Sequence, residues 1–382
     1  MSIQKILIVG NITGHFRSQL FIQKLLLKDV GSNKGFIITL ANPQSFQIQN
    51  CNNRFIKYFL DKLNFIFFLF EIFIKIPFSH KIYFMALNHR YFPVLLLVNL
   101  IWRRPIIADM YVSIYDGAKD RNNFKGDIFK RIASFRFEWY YKLLDKLLIE
   151  KPFKTIYIGD LELKLVSELV NANIDKSNYV IIPPASLAKK KAAPSSSTKL
   201  RICWWGTYIP LHGVENIIEA AHLLKKANIN FSLDLFGTKK YDGSEYKNLT
   251  TNLNLEQEIS FHSDKTFGNG LLEKYLVSNC DLVLGNFSSS ERAQRSVPTK
   301  IFDAFSMCLP VLTMNTKVLQ DSVDVDNELF TCGINPEEIC EEIIKIMNNK
   351  QEKERRANNG FIHYEKTFSV KAVQEKFIKL FL

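Results

Sequence analysis

Short apolar runs alternate with longer runs of helical repeat along almost the whole chain. Lys5–Val9 has the pattern of a buried strand, followed by a turn at Gly10 and Gly14 and a helix from about Arg17 to Lys28. Gly35–Leu40 predicts a strand, Arg54–Ile76 a long aromatic helix stopped at Pro77, and Lys81–Met85 a strand. Pro93–Trp102 predicts a helix, Pro105–Ala108 a strand, and Phe124–Leu147 a strongly periodic helix. Leu148–Glu150 and Tyr179–Ile182 read as short strands with a helix, about Asp160–Val170, between them. The scheme then repeats. Arg201–Trp205, Ser232–Phe236, Ile259–His262, Leu282–Leu284 and Val311–Met314 predict strands. Helices are expected at Gly213–Ala227, Glu245–Asn252, Leu271–Val277, Lys300–Met307, Pro336–Asn348, Gln351–Thr367 and Val370–Leu382. Such alternation implies parallel sheets wrapped by helices.

The two halves are separated by Ala185–Lys199, a small, polar and basic stretch without periodicity, which predicts a linker. A chain of 382 residues is too long for one ordinary core and suits two domains. The expected division is 1–185, a Rossmann-like domain; 186–199, the linker; 200–367, a second Rossmann-like domain; and 368–382, a terminal helix packing back on the first. Ligands of open α/β sheets bind at the carboxyl ends of strands, so chemistry is expected in the loops that follow them.

Composition narrows the classes. With 47% apolar and 23% charged residues the chain is a folded globular protein. Its six cysteines form no C-x-x-C pair and stand at no metal-ligand spacing from a histidine, so no metal and no cofactor are expected, and the thiols read as buried apolar groups of a reducing, cytoplasmic compartment. No signal-peptide pattern opens the sequence, and the apolar stretch around Leu63–Ile74 is too short to span a bilayer. The net charge of +12 suits phosphorylated ligands or an anionic membrane surface; no nucleic-acid motif accompanies it.

Three segments carry candidate chemistry. Trp204-Trp205-Gly206-Thr207-Tyr208-Ile209-Pro210-Leu211-His212-Gly213 links a strand to a helix whose N-terminus suits a phosphate, with His212 placed to add a proton or charge. An ordinary strand–turn–helix connection is the alternative. The second segment runs from Arg292 through Arg295, Pro298, Thr299 and Lys300 to Asp303. It combines cations with a helix start, and puts Asp303 on the first turn with a carboxylate able to accept from the two hydroxyls of a ribose. A solvated basic loop is the alternative. The third follows the Pro105–Ala108 strand: Asp109 and Asp116 are candidates to orient or deprotonate a substrate hydroxyl, and Arg121 to bind a substrate phosphate. Here the alternative is an Asx-type turn with a local ion pair. At the first strand's end, Gly14, His15 and Arg17 are acceptor-side candidates; Gly10…Gly14 is not a dinucleotide fingerprint, which disfavours a nicotinamide enzyme.

Taken in order, the loop ending in His212-Gly213, Ala220-Ala221, Leu235-Phe236-Gly237, Asp281-Leu-Val-Leu-Gly285 and Pro298-Thr-Lys-Ile-Phe-Asp303 through Pro310-Val311 resemble the donor domain of glycosyltransferase family 4, within a subgroup whose loop reads Gly-Thr-Tyr-Ile-Pro-Leu-His-Gly. The resemblance implies a GT-B fold, two Rossmann-like domains facing across a cleft. It implies a retaining transferase that moves a sugar from a nucleotide diphosphate, UDP favoured, to a glycan or lipid-linked glycan in bacterial cell-surface polysaccharide synthesis. Donor contacts would come from Gly206, Thr207, His212, Gly213, Gly237, Arg295, Lys300 and Asp303, with Asp109, Asp116, His212 and Arg295 nearest the chemistry. The sequence also departs from the family: Thr207 and His212 stand where Arg and Lys are common, Arg295 replaces the first of two paired acids, Asp303 shortens the second, and Cys308 replaces a glycine. The missing acid leaves a catalytically silent GT-B scaffold, or a nucleotide-sugar epimerase, as alternatives. Basic aromatic helices at Phe55–Phe73 and Phe124–Lys146 suggest peripheral contact with an anionic membrane.

Overall fold

The computed structural model describes residues 4–11, 16–30, 36–43, 54–121, 124, 137–186, 199–238 and 243–382. The chain divides into two compact units, Met1–Pro183 with Val373–Leu382, and Pro184–Ala372. Gly14 and His15 lie outside the described residues, as does the side chain of Arg17 and most of the linker.

The first unit is built on β1 (Gln4–Val9), α1 (Phe16–Val30), β2 (Phe36–Ala41), α2 (Arg54–Lys75), β3 (Lys81–Phe84), α3 (Phe92–Trp102), β4 (Ile106–Asp109), α4 (Ile114–Asp120), α5 (Glu138–Glu150), β5 (Lys154–Tyr157), α6 (Asp160–Val170) and β6 (Tyr179–Ile181). The strands form one six-stranded sheet in the order β2-β1-β3-β4-β5-β6, with every pairing parallel. Residues of β1 from Ile6 to Val9 are buried, as expected of a strand covered on both faces. The strand expected at Leu148–Glu150 is instead the end of α5, and the strand lies at Lys154–Tyr157. Leu144 and Leu148 are both buried one helical turn apart, so the apolar run continues a helix face; a short apolar run alone does not distinguish the two. Of the helix expected at Phe124–Leu147, residues 125–136 lie outside those described, and 138–147 are helical as part of α5.

The second unit contains β7 (Leu200–Trp205), α7 (Val214–Lys226), β8 (Phe231–Phe236), α8 (Ser244–Asn252), β9 (Ile259–His262), α9 (Leu271–Asn279), β10 (Leu282–Leu284), α10 (Glu291–Gln294), α11 (Thr299–Ser306), β11 (Val311–Met314), α12 (Lys317–Ser322), β12 (Phe330–Cys332), α13 (Pro336–Asn348) and α14 (Lys350–His363). Its sheet is also six-stranded and parallel, in the order β12-β11-β10-β7-β8-β9. The chain leaves β7 toward β9 and returns to β10 on β7's other side. The order therefore reverses between β7 and β10, and a crevice opens where loops diverge from such a point. The short α10, α12 and β12 carry too few residues for a periodic signal and were not expected from the sequence.

After α14, a wide-turn segment, Tyr364–Phe368, leads into α15 (Val370–Ile378). Its Phe377 stacks on Phe21 at 4.0 Å between ring centres and meets Tyr83 edge-on at 5.1 Å, while Gln374 donates to the carbonyl of Leu20. Among the described residues, no helix is long and apolar enough to cross a membrane.

Cys308, the position where the family resemblance leads one to expect glycine, ends α11 with a left-handed φ of 55°. A Cβ is disfavoured there by about 1 kcal/mol. Cys308→Gly is expected to raise the free energy of unfolding by roughly 0.5–1 kcal/mol, the gain being limited by loss of the thiol contact with Asn358 Oδ1 at 3.3 Å. Urea denaturation of both proteins checks this; a lower midpoint for the glycine variant contradicts it.

Candidate active site

Loops after β7 and β10 meet at the reversal point of the second sheet. Gly213 starts α7 with φ 62° and ψ 45°, and a Cβ there would lie 2.1 Å from the carbonyl oxygen of Phe287. Only glycine permits this approach. The two loops are then laced together. Phe287 N donates to His212 O at 3.0 Å, Asn216 Nδ2 to Phe287 O at 2.8 Å, and Ser288 Oγ to Pro210 O at 2.6 Å. Neither α7 nor α11 has a side-chain cap at its start, which leaves backbone N–H groups there to bind an anion.

Trp204 forms the floor. Its ring stacks on Tyr208 at 5.6 Å, meets the His212 ring edge-on at 5.4 Å, and carries the Lys300 ammonium 4.3 Å over its face. Lys300 is only 5% exposed and donates to Asn286 Oδ1 at 3.1 Å and Gly285 O at 3.4 Å. Burial holds its pKa well below the ordinary lysine value. His212 Nδ1–H donates to Thr207 O at 2.5 Å; burial first, then the positive Lys300, pushes its pKa down to about 3. The imidazole is therefore neutral at physiological pH, and the positive charge expected of it is absent until an anion offsets these two effects. Thr207 contributes its carbonyl to this arrangement.

Arg292 lies close enough to depress His212 as well. Arg295 caps α10 and pairs with the exposed Glu291 at 3.6 Å. Asp303 sits beyond the first turn of α11, which holds no acid, rather than on it. Burial pushes its carboxyl up to about 6, against hydrogen bonds from the side chains of Ser186 and Trp205 that favour the ionised form. Gly206 packs against His212 and Trp204, and Gly237 leaves room for Tyr208, whose ring would lie 2.3 Å from a Cβ there.

The structure thus gathers Gly206, Thr207, His212, Gly213 and Lys300 around one segment, Gly285–Ser288. Trp204, Asn216, Asn286 and Ser288 were not among the site residues expected from the sequence. Asn286 had a local signal, following Gly285 directly after a strand; Trp204, an aromatic residue in a strand, had none beyond burial.

In the first unit the sheet order reverses between β1 and β3, where Asn88 Oδ1 accepts from Asn11 N at 3.1 Å and Asn88 Nδ2 donates to Ala86 O at 2.7 Å. Asp109 ends β4, is 1% exposed, and accepts from Tyr83 Oη at 3.2 Å. Asp116 is also buried, on the first turn of α4, where its N–H is capped by Ser113 Oγ at 2.9 Å. Ser113 in turn donates to buried Asp145 at 2.6 Å. Arg121 is exposed at the other end of α4.

Residues 187–362 match the family described as glycosyl transferases group 1. The chain is a glycosyltransferase with a group 1 domain. No curated protein sequence matches it. Among solved structures, HepE of Anabaena with UDP-glucose superposes with a TM-score of 0.67 at 13% identity, covering 98% of each chain. A glycosyltransferase from Rickettsia africae gives 0.66 at 13% identity over 100% of this chain and 98% of that one. WaaG, a glycosyltransferase involved in lipopolysaccharide biosynthesis, gives 0.65 at 14% identity over 99% of both. At these identities the likeness establishes the fold: the enzyme is α/β of the GT-B kind, as expected from the sequence.

Proposed function

We propose that this glycosyltransferase retains anomeric configuration and moves a sugar from a UDP-sugar to a glycan or lipid-linked glycan acceptor in bacterial cell-surface polysaccharide synthesis. The observation that carries the donor side is the buried Lys300 beside His212 at two helix starts without side-chain caps, a set of donors whose charge and direction match a diphosphate. As the bond to the sugar breaks, negative charge grows on the departing diphosphate. Lys300, Arg292 and Arg295, with the N–H groups of α7 and α11, stabilise it. His212 takes up a proton as that charge arrives. Asp303 retains lone pairs for a ribose hydroxyl while held by Ser186 and Trp205. HepE is crystallised with UDP-glucose, which supports UDP as the nucleotide here.

On the acceptor side, the proposal keeps Asp109, Asp116 and Arg121, together with Gly14, His15 and Arg17. The enzyme works in the cytoplasm, with peripheral attachment to the inner face of the membrane.

Calorimetric titration with UDP and GDP, followed by NMR of the product's anomeric proton, tests the assignment. UDP is expected to bind more tightly, and the product to keep the donor's configuration. Asp303→Asn, which preserves one acceptor oxygen for Trp205, is expected to weaken UDP binding roughly tenfold, in line with loss of a charged hydrogen bond. Inverted product, or no affinity for either nucleotide, removes the proposal.

A further inference from the structure

Helix α2 is apolar on both of its sides. Its inner side buries Phe68, Ile72 and, just past its end, Ile76. Its outer side repeats Phe59, Ile66, Phe70 and Phe73 at spacings of a helical face, all exposed, Phe70 to 63%. A surface helix ordinarily turns polar residues outward. Helix α3 continues the exception, with Leu97, Leu100 and Ile101 each about two-thirds exposed. The two helices share a seam: Phe73 meets Trp102 edge-on at 5.0 Å, and Arg104 donates to Pro77 O at 2.7 Å. Phe78, 72% exposed, follows α2 at that seam. An apolar surface this continuous marks an interaction site.

We propose that the outer face of α2 and α3 is a docking surface for an anionic lipid bilayer, with the helices lying in its interface. This deepens the peripheral attachment proposed above and rests on it. Charge selects the occupant. Lys62 on α2 and Arg103 just past α3 are exposed, whereas Glu71, the one acid of α2 and α3 among the described side chains, is turned aside, bonded to Lys75 at 2.5 Å and to Asn42 N at 3.1 Å. An apolar strip with exposed cations matches acyl chains beneath anionic headgroups. A second copy of the chain is a poorer match, because a two-fold contact would set these cations against like charge. A bilayer also needs no complementary shape to accept a convex row of side chains.

Flotation of the full-length enzyme with vesicles of phosphatidylcholine alone and with a third phosphatidylglycerol tests this. The wild type is expected to float with the anionic vesicles and to be released by added salt. The Phe70→Ser/Leu100→Ser/Ile101→Ser variant should bind about tenfold or more weakly, since these side chains no longer enter the interface. Lys62→Glu/Arg103→Glu should lose the preference for anionic lipid. UDP affinity, measured on the same samples, should be unchanged in every variant; it reports separately on the transferase assignment and on folding. Equal flotation of wild type and the triple variant overturns the proposal. So does a wild-type dimer in solution that the triple variant converts to monomer, which would assign the face to self-association.

Discussion

Lys300→Met is expected to abolish most transfer, by about 10²–10³-fold, while leaving the fold as stable as before or more so. The lysine is 5% exposed and its contacts are a carbonyl, an amide oxygen and the face of Trp204. Among the described residues no carboxylate pairs with it. Dipoles and a ring face compensate a buried cation only in part, so its desolvation opposes folding. Methionine fills a similar volume without the charge, and the expected gain in stability reaches up to about 2 kcal/mol. The same logic gives a proton signature. A diphosphate raises the depressed pKa of Lys300 and of His212, so the complex binds more protons than the free enzyme. Titration of UDP in buffers of different ionisation enthalpy should show net uptake, and affinity should fall as pH rises through the window between the free and bound values for Lys300. Stability runs the other way. The unfolded chain holds the lysine's proton to higher pH than the fold does, so stability climbs with pH between the folded and the unfolded values of this lysine, and the Met variant loses the slope. Unchanged UDP affinity in the variant, or no proton uptake by the wild type, contradicts the donor assignment of Lys300.

Gly213→Ala is expected to cost about 2–4 kcal/mol of stability and to remove UDP binding with it. Two costs combine: an L side chain at φ 62°, and a Cβ 2.1 Å from the Phe287 carbonyl. Relief requires the loop after β10 to move. That movement pulls Phe287 away from the backbone of His212 and from Asn216, and so separates the start of α7 from Lys300. Gly270→Ala is a useful control, because it shares a left-handed φ of 72° and no atom lies within 4 Å of the added Cβ. It should cost only about 1–2 kcal/mol and leave UDP affinity intact. Denaturant melts and calorimetry on the two variants make the comparison; equal losses in both would assign the whole effect to backbone conformation and none to the contact between loops.

Much of the site was legible because strand–loop–helix connections have local signatures. Gly206 and Gly213 around Pro210 marked a turn into a helix, and Pro298-Thr299-Lys300 marked a helix start. What stayed hidden depended on where separate segments meet. Lys300 was legible as a cation at a helix start, with a solvated basic loop as the alternative; its burial against Trp204 and Asn286 requires three segments far apart in sequence. Asp303 looked like a first-turn acid because helix boundaries carry an uncertainty of a residue or two from pattern alone. Its hydrogen bonds to Ser186 and Trp205 had no sequence signal. Asp109 and Asp116 were candidates because they follow a strand; the burial of both side chains, one against Tyr83 and one on the capped first turn of α4, had no local signal.

The sequence by itself determined the alternation of strands and helices, hence two parallel sheets, and the two loops that end in His212-Gly213 and Lys300. These follow from periodicity, from glycine at a left-handed turn, and from capping preferences, all of which act within a few residues. Only the tertiary structure decided that the second sheet reverses between β7 and β10. That reversal brings the two loops together, buries Lys300, and makes His212 neutral. The aromatic character of α2 was legible in the sequence, but that its outer face and that of α3 form one exposed apolar surface was decided by the packing of the first unit. Burial and the charge state that follows from it are properties of the assembled chain, because they depend on which segments exclude water from a side chain.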